Sequence, residues 1–349
     1  MRSGALSDNT KIEWTDATWN PITGCSVVSA GCKHCYAMKL AGTRLRNHPS
    51  REGLTIDSLA GPVWNGKVRL NPQWLLDPWR WTRPRRIFVC AHGDLFHEAV
   101  PFEWIAAIFW VMSVTTRHTY QVLTKRPKRA VEFFEWVRQG KGIFEDDRIS
   151  DAADEVLRTN GVVPEWKPVH GRRGGYDNCG PGWPYENVWL GVSVENQETA
   201  DARVPILMEL PAAVRWISAE PLLGPVDLTR VARRSQDSEW TFWDNALTGF
   251  RAHKCGGHES KDQAIHWVVA GGESGFGARP MQRDWARALR DQCKVAGVPF
   301  FFKQWGEFAP NWLSDDDGTE QPGSMWMDRM GKRAAGRLLD GVEHSEFPA

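Results

Sequence analysis

The sequence predicts an α/β protein, a complete or partial (β/α) TIM-type barrel carrying two insertions. Short apolar, β-rich runs alternate with longer amphipathic stretches from end to end of the 349 residues. That is the pattern of parallel strands buried on both faces and joined by helices. A polar or glycine-rich cluster follows one apolar run after another, and in a parallel barrel such strand ends converge on one mouth. A doubly wound open sheet is the alternative assembly of the same units. The length suits a single barrel-type domain over residues 1–349.

The expected strands are Ala17–Thr23, Lys67–Leu70, Arg86–Ala91, Thr119–Leu123, Val188–Val194, Val214–Ser218, His266–Ala270 and Pro299–Phe302. Helices are expected at Cys35–Arg46, Phe102–Val114, Lys128–Gln139, Gln197–Glu209 and Gln282–Ala296. Two segments break the alternation and read as insertions, 145–184 and 230–262. The first begins acidic (Glu145, Asp146, Asp147, Asp151, Asp154, Glu155) and ends rich in Gly and Pro; the second is polar and mixed. Long loops of this kind serve as lids or binding arms. Near the C-terminus, Gly331 to Asp340 reads as a strand or short helix that closes the fold.

Composition narrows the function classes. Forty-three basic residues balance 43 acidic ones, so no global field draws the chain to nucleic acid or a membrane. No apolar run is long enough to span a bilayer, and the first residues lack a signal-peptide core, which makes a cytoplasmic location the expectation. Seven cysteines, three of them clustered, fit metal or redox chemistry in a reducing compartment better than a disulfide framework. Most of the 20 tryptophans are expected in the core, with a few available as stacking platforms.

The strongest chemical signal is Thr23-Gly-Cys25-Ser-Val-Val-Ser-Ala-Gly-Cys32-Lys-His-Cys35-Tyr-Ala37, a loop after the first strand. Three thiolates this close can hold three corners of an iron–sulfur cube and leave one iron open. Gly24 and Gly31 suit a loop that wraps such a group closely. Two other readings stay open: a structural zinc site completed by His34 or a distant His, and buried thiols that happen to be neighbours. Cys90 and Cys293 read as core residues; Cys255-Gly-Gly-His258 could form half of a metal site with Cys179, with an ordinary insertion loop as the plainer account. Further strand-end clusters are His92-Gly-Asp94-Leu-Phe-His97, Thr124-Lys-Arg-Pro127, Ser193-Val-Glu195-Asn196, Glu220-Pro221, Gly271-Gly-Glu273-Ser-Gly275 and Lys303-Gln304.

The Cys-x6-Cys-x2-Cys-Tyr-Ala loop resembles the cluster loop of radical S-adenosylmethionine (SAM) enzymes. The wider chain is similar to a group of phage and bacterial proteins of unknown function that carry a three-cysteine motif. That likeness includes Trp19-Asn-Pro-Ile-Thr-Gly-Cys25, Asp94-Leu-Phe-His97, Thr124-Lys-Arg-Pro127, Gly191-Val-Ser-Val-Glu-Asn196, Glu220-Pro-Leu-Leu-Gly-Pro225 and Gly331 to Asp340. The chain departs from the commonest radical SAM pattern in three ways. Six residues rather than three separate the first two cysteines, His34 takes the place of an aromatic, and Gly271-Gly272-Glu273 comes far later than the usual Gly-Gly-Glu.

The resemblance implies a radical-SAM-like barrel with a [4Fe–4S] cluster on Cys25, Cys32 and Cys35. SAM would chelate the open iron and an electron donor would reduce the cluster, in the host cytoplasm if the protein is phage-encoded. Lys125 or Arg126 would meet the SAM carboxylate and Asp94 its amino group. Glu195 or Glu220 would accept from the ribose, and His34 and Tyr36 would flank the adenine. Glu273, Lys303 and Gln304, on late strands, would face the substrate. Arg80, Arg83, Arg85 and Arg86 interleave with Trp79 and Trp81; Lys125, Arg126, Lys128 and Arg129 form a second basic group, and Arg230, Arg233 and Arg234 a third. These fit a nucleic-acid substrate or partner, with solvated charge as the plainer account. The alternative function is a non-catalytic iron–sulfur or zinc protein that binds nucleic acid or a protein partner.

Overall fold

Strands with unbroken apolar runs have no face to give to water, so they lie inside a sheet covered on both sides. The computed structural model describes residues 7–8, 10–140, 147–162, 184–235, 239–310 and 327–349. It is an α/β fold on a seven-stranded parallel half-barrel sheet with helices around it. The strands are β1 (Ala17–Trp19), β2 (Arg86–Val89), β3 (Thr119–Thr124), β4 (Val188–Ser193), β5 (Val214–Ala219), β6 (Trp267–Gly271) and β7 (Phe300–Gln304). They lie in the sheet in chain order, and Ser7–Asp8 adds an antiparallel edge beside β1. Every residue of β4 and β6 is buried. The longer helices are α1 (Tyr36–Gly42), α2 (Phe102–Val114), α3 (Pro127–Arg138), α4 (Asp147–Thr159), α5 (Gln197–Glu209) and α6 (Arg283–Ala296). Among the described residues no helix is long and apolar enough to cross a membrane.

Several expected elements differ. The first strand stops at Trp19 because Pro21 has no N–H for the ladder. Ile22–Thr23 then pairs antiparallel with Arg69–Leu70, so the expected strand at 67–70 belongs to a small ribbon and not to the parallel sheet. Helix α1 ends at Gly42 instead of Arg46; the Thr43 hydroxyl turns back onto the Lys39 carbonyl at 2.6 Å, a bond that competes with the helix. Inside the segment read as an acidic loop lies α4. Its Ile149, Ala152, Ala153, Val156 and Leu157 are buried at helical spacing, and its acidic residues take the wet side. Residues 163–183, Cys179 among them, lie outside the described residues. The second insertion folds as two hairpins, Val231–Arg234 with Thr241–Asp244 and Phe250–His253 with Gly256–Glu259.

The chain divides into two compact units. The first comprises Met1–Val28, Cys35–Leu190 and Leu210–Ala213. Helix α2 is buried without a break from Ile105 to Ser113, and α4 packs against it, which is why α2 carries almost no polar face. Phe96, Phe109, Phe133 and Phe134 interlock here, with Phe133 5.2 Å from both Phe109 and Phe134 between centroids. Such ring pairs add about 0.5–1.5 kcal/mol each beyond their buried area.

The second unit comprises Ser29–His34, Gly191–Glu209 and Val214–Ala349. Its core centres on Trp216 and Trp267, with ring centroids 5.3 Å apart. The Trp216 ring lies over Gly191, where an added Cβ would stand 2.5 Å from the indole. The C-terminus closes this core: the Trp267 indole N–H donates to the Glu346 carbonyl at 2.8 Å, and Phe347 packs on Trp267 and Phe301.

Two predictions follow from these cores. Gly191→Ala, by forcing Cβ into the Trp216 ring, is expected to cost about 1–3 kcal/mol, read as a lower urea midpoint with unchanged slope. Asp77, buried with one oxygen unpartnered among the described residues, has its carboxyl pushed up to about 6, because burial outweighs the pull of Arg80. The native state therefore holds a proton that the unfolded chain has already released, and stability falls as pH rises from about 4 to about 6. Asp77→Asn should remove that fall and gain about 2–3 kcal/mol at neutral pH; identical pH–stability curves for both proteins would contradict this account.

Candidate functional site

In the first unit the loops after β1, β2 and β3 meet around Cys25. Gly24 sits at φ +95°, and Lys67's carbonyl occupies the space a Cβ would need. Its N–H donates to the His92 carbonyl at 3.2 Å, and it bridges to Gly93. Asp94, just past β2, is buried and accepts four hydrogen bonds. They come from Thr124 Oγ1 (2.7 Å), Phe96 N (3.0 Å), Lys125 N (3.2 Å) and Arg126 Nη1 (2.9 Å). That fills the four lone-pair positions of a carboxylate.

Arg126, also buried, spends all five of its N–H donors inside the protein. Nε reaches Glu98 (2.8 Å) and Nη1 reaches Asp94 and the Cys25 sulfur (3.6 Å). Nη2 reaches the Ser26 carbonyl (3.3 Å) and hydroxyl (2.7 Å). Burial alone would lower its affinity for a proton, but Asp94, Cys25 and Glu98 reverse that and hold it charged. His97 completes the arrangement. Its Nδ1 accepts from the Ala99 N–H at 3.0 Å, so the ring proton is on Nε2, which donates to Ser26 Oγ at 3.0 Å. Burial, aided by Arg126, keeps that ring neutral.

Cys25 and Cys35 pack, half-buried, against Ala37, Met38, Ala41, Leu54 and Trp64. Burial pushes the Cys25 thiol up to about 12, with Asp94 adding to the effect and Arg126 opposing it. Cys35 is the residue before α1, and the next residue, Tyr36, donates its hydroxyl to the Ala91 carbonyl at 2.7 Å with its ring edge-on to His92. His92 is driven down to about 3 by burial and by Arg51. Cys90, expected in a strand, lies one residue past β2 at φ +57°, a left-handed conformation uncommon for a residue with a side chain.

The second unit holds the segment with Cys32 and His34. Ser29 donates its hydroxyl to Glu195 Oε1 at 2.8 Å, so the Cys32 thiol, 3.8 Å away, is the donor to Ser29 Oγ. Glu195 is buried, and its other oxygen pairs with Arg203 at 3.0 Å. A Cβ on Gly31 would stand 2.5 Å from Glu195 Oε1, so only glycine lets the loop approach this carboxylate. Arg279 clamps Glu273 through 2.7 and 2.9 Å bonds and reaches the Ala30 carbonyl at 3.1 Å. Gly277 (φ +80°) lies against the His34 ring. Lys303 pairs with Glu220 at 3.0 Å, and Ser218 donates to the same carboxylate at 3.3 Å. Gln304 is buried at the end of β7, and its Oε1 has no hydrogen-bond partner among the described residues.

Each unit thus organises its own share of the expected residues. The first gathers Cys25, Asp94 and Arg126, with Cys35 close enough to Cys25 to act on its charge. In the second, Cys32 is tied to Glu195 through Ser29, and Glu220 to Lys303. Among the described residues no three His, Cys, Asp or Glu side chains stand in an array that holds a metal ion. Sequence reasoning gave no individual role to Ser26, His97, Glu98, Ser29, Arg203 or Arg279. His97 had a signal, as the last residue of Asp94-Leu-Phe-His97; the partner arginines had none, since their pairing depends on where loops return in space.

The fold and these strand-end loops define an α/β half-barrel protein with a cysteine-bearing loop locked by buried carboxylate–arginine pairs. The family model DUF5131, described as a protein of unknown function, matches residues 9–348, and the chain belongs to that family. Neither a curated protein nor a solved structure matches it.

Replacing Arg126 with methionine strands Asp94 as a buried unpaired charge. The expected cost is about 3–5 kcal/mol, and Asp94→Asn combined with Arg126→Met should cost less than the sum of the two single changes. Additive costs would show that the two side chains do not act as a pair.

Proposed function

We propose that this protein is a radical SAM-type iron–sulfur enzyme acting on a substrate whose class includes nucleic acids. The observation that carries the reading is the three-cysteine loop after the first strand of a parallel half-barrel sheet, with Cys25 gripped by a fully engaged arginine. The donor set fits. Three soft thiols suit iron–sulfur chemistry, and a thiol that burial keeps protonated becomes a ligand when a metal cation takes the proton's place. Cys25, Cys32 and Cys35 would be the ligands. When bound, a [4Fe–4S] cluster supplies the single electron for reductive cleavage of SAM.

The chain's own residues divide the remaining work. Arg126 and Asp94 have no hydrogen-bonding capacity left over, so they act as positioning residues that hold the Cys25–Ser26 backbone in place. Lys125, the other cation expected at this strand end, would meet the SAM carboxylate. Tyr36, anchored by its hydroxyl to Ala91, offers an exposed ring edge to an adenine. Ser29 and Glu195 orient the Cys32 turn in the second unit. There, Glu220 with Lys303, and Gln304 with its open acceptor, suit the polar atoms of a substrate.

Anaerobic reconstitution with iron and sulfide, followed by dithionite and SAM, tests the proposal. A brown protein that forms 5′-deoxyadenosine is expected, with Cys25→Ala, Cys32→Ala and Cys35→Ala each losing the product while keeping a native circular dichroism spectrum. A colourless protein that holds zinc and leaves SAM intact would replace this reading with a structural metal site.

A further inference from the structure

The second hairpin of the insertion at 230–262 brings two imidazoles together far along the chain from the cysteine loop. His253 Nε2 and His258 Nδ1 are 3.1 Å apart, with the rings 14° from parallel and both residues exposed. The ladder explains the meeting. His253 pairs with Gly256 and His258 with Arg251, so the two histidines are diagonal neighbours on one face of the hairpin. Gly256, opposite His253, has nothing within 4 Å of where a Cβ would stand, which leaves the imidazole room to turn.

The scaffold beneath is fixed. Asp244, fully buried, accepts from the Ala252 N–H at 3.0 Å and pairs with Arg233 at 2.7 Å and Arg251 at 3.2 Å. Arg251 also pairs with Glu209 on α5 at 2.7 Å. Gly249 (φ +76°) lets the hairpin start against Ser260, whose N–H returns to the Gly249 carbonyl at 3.2 Å. The histidines therefore project from a backbone held on both sides.

We infer that His253 and His258 form a chelating site for a borderline divalent transition-metal ion such as zinc. Two nitrogens bound to one tetrahedral zinc at about 2.0–2.1 Å stand about 3.3 Å apart, close to the 3.1 Å separation seen here. At present the pair shares one proton in an N–H···N bond. When the donor ring passes its proton through solvent to its own other nitrogen and both exposed rings turn slightly aside, two lone pairs meet at a common point, each imidazole staying neutral as metal binding requires. Imidazole ligands suit Zn, Cu and Ni. Cys255, exposed in the turn between the two histidines, is the nearest candidate for a third ligand. An ion here would cross-link the two strands of the hairpin. The inference stands apart from any cofactor on Cys25, Cys32 and Cys35.

The test is zinc titration of the full-length apoprotein against a chromophoric chelator, comparing wild type with His253→Ala, His258→Ala and Lys254→Ala. Wild type and Lys254→Ala should take up one more equivalent than either histidine variant, with the cysteine loop intact in all four. Substitution of cobalt for zinc then reports the third ligand: a sulfur-to-cobalt band lost in Cys255→Ser but kept in Cys32→Ser places Cys255 on the ion. Equal zinc stoichiometry and affinity in wild type and both histidine variants would overturn the site, whatever metal the cysteine loop holds.

Discussion

The buried ion pair of Asp94 and Arg126 is the constraint on which the first unit's strand-end region depends. A guanidinium removed from water must find partners for five N–H groups, and a carboxylate for its lone pairs. Asp94 uses its acceptors to gather Thr124, Lys125 and Arg126 beneath the end of β2. Arg126 then uses its remaining donors on Glu98, Ser26 and Cys25. Three separate loops are fixed by one pair because neither member can leave without exposing the other's charge to an apolar interior. The position of Cys25 is a consequence of that satisfaction.

The second unit uses the same device with different residues. Glu195 with Arg203 holds Ser29, and through it the Cys32 thiol. Glu273 with Arg279 holds the Ala30 carbonyl. Both ends of the cysteine segment are therefore anchored by carboxylate–arginine pairs, each inside its own unit. Charge-assisted bonds of this kind are directional as well as strong, so they fix the loop backbone where glycine alone would leave it free. Gly24 and Gly31 contribute by absence of a side chain: each allows a backbone or carboxylate oxygen into the place of a Cβ.

The insertions do structural work of a similar kind. Helix α4 covers α2, whose sequence is too apolar to face water. The two hairpins at 230–262 are tied together by Asp244, a carboxylate with two arginine partners and a backbone donor. Buried charge appears at the hairpin junction because short hairpins offer little apolar area, and paired charges fix their geometry in place of a packed core.

Periodicity made the parallel strands and crossover helices legible, because burial on both faces demands unbroken apolar runs. Helices Phe102–Val114 and Gln197–Glu209 match to the residue. The strand-end clusters and the cysteine spacing are likewise written in order along the chain. Helix α4 escaped because its acidic residues occupy the solvated face and mask the apolar period, and Arg69–Leu70 was misassigned because two residues of ribbon look like two residues of sheet. Tertiary structure alone decided which arginine meets which carboxylate. Asp94 and Arg126 are 32 positions apart and Ser29 and Glu195 are 166 apart; such pairs depend on the return of loops after whole β–helix units, and no local pattern encodes them. The sequence by itself determined the kinds of element and the chemical groups at their ends, and the folded chain determined which of those groups are already engaged in holding the loops.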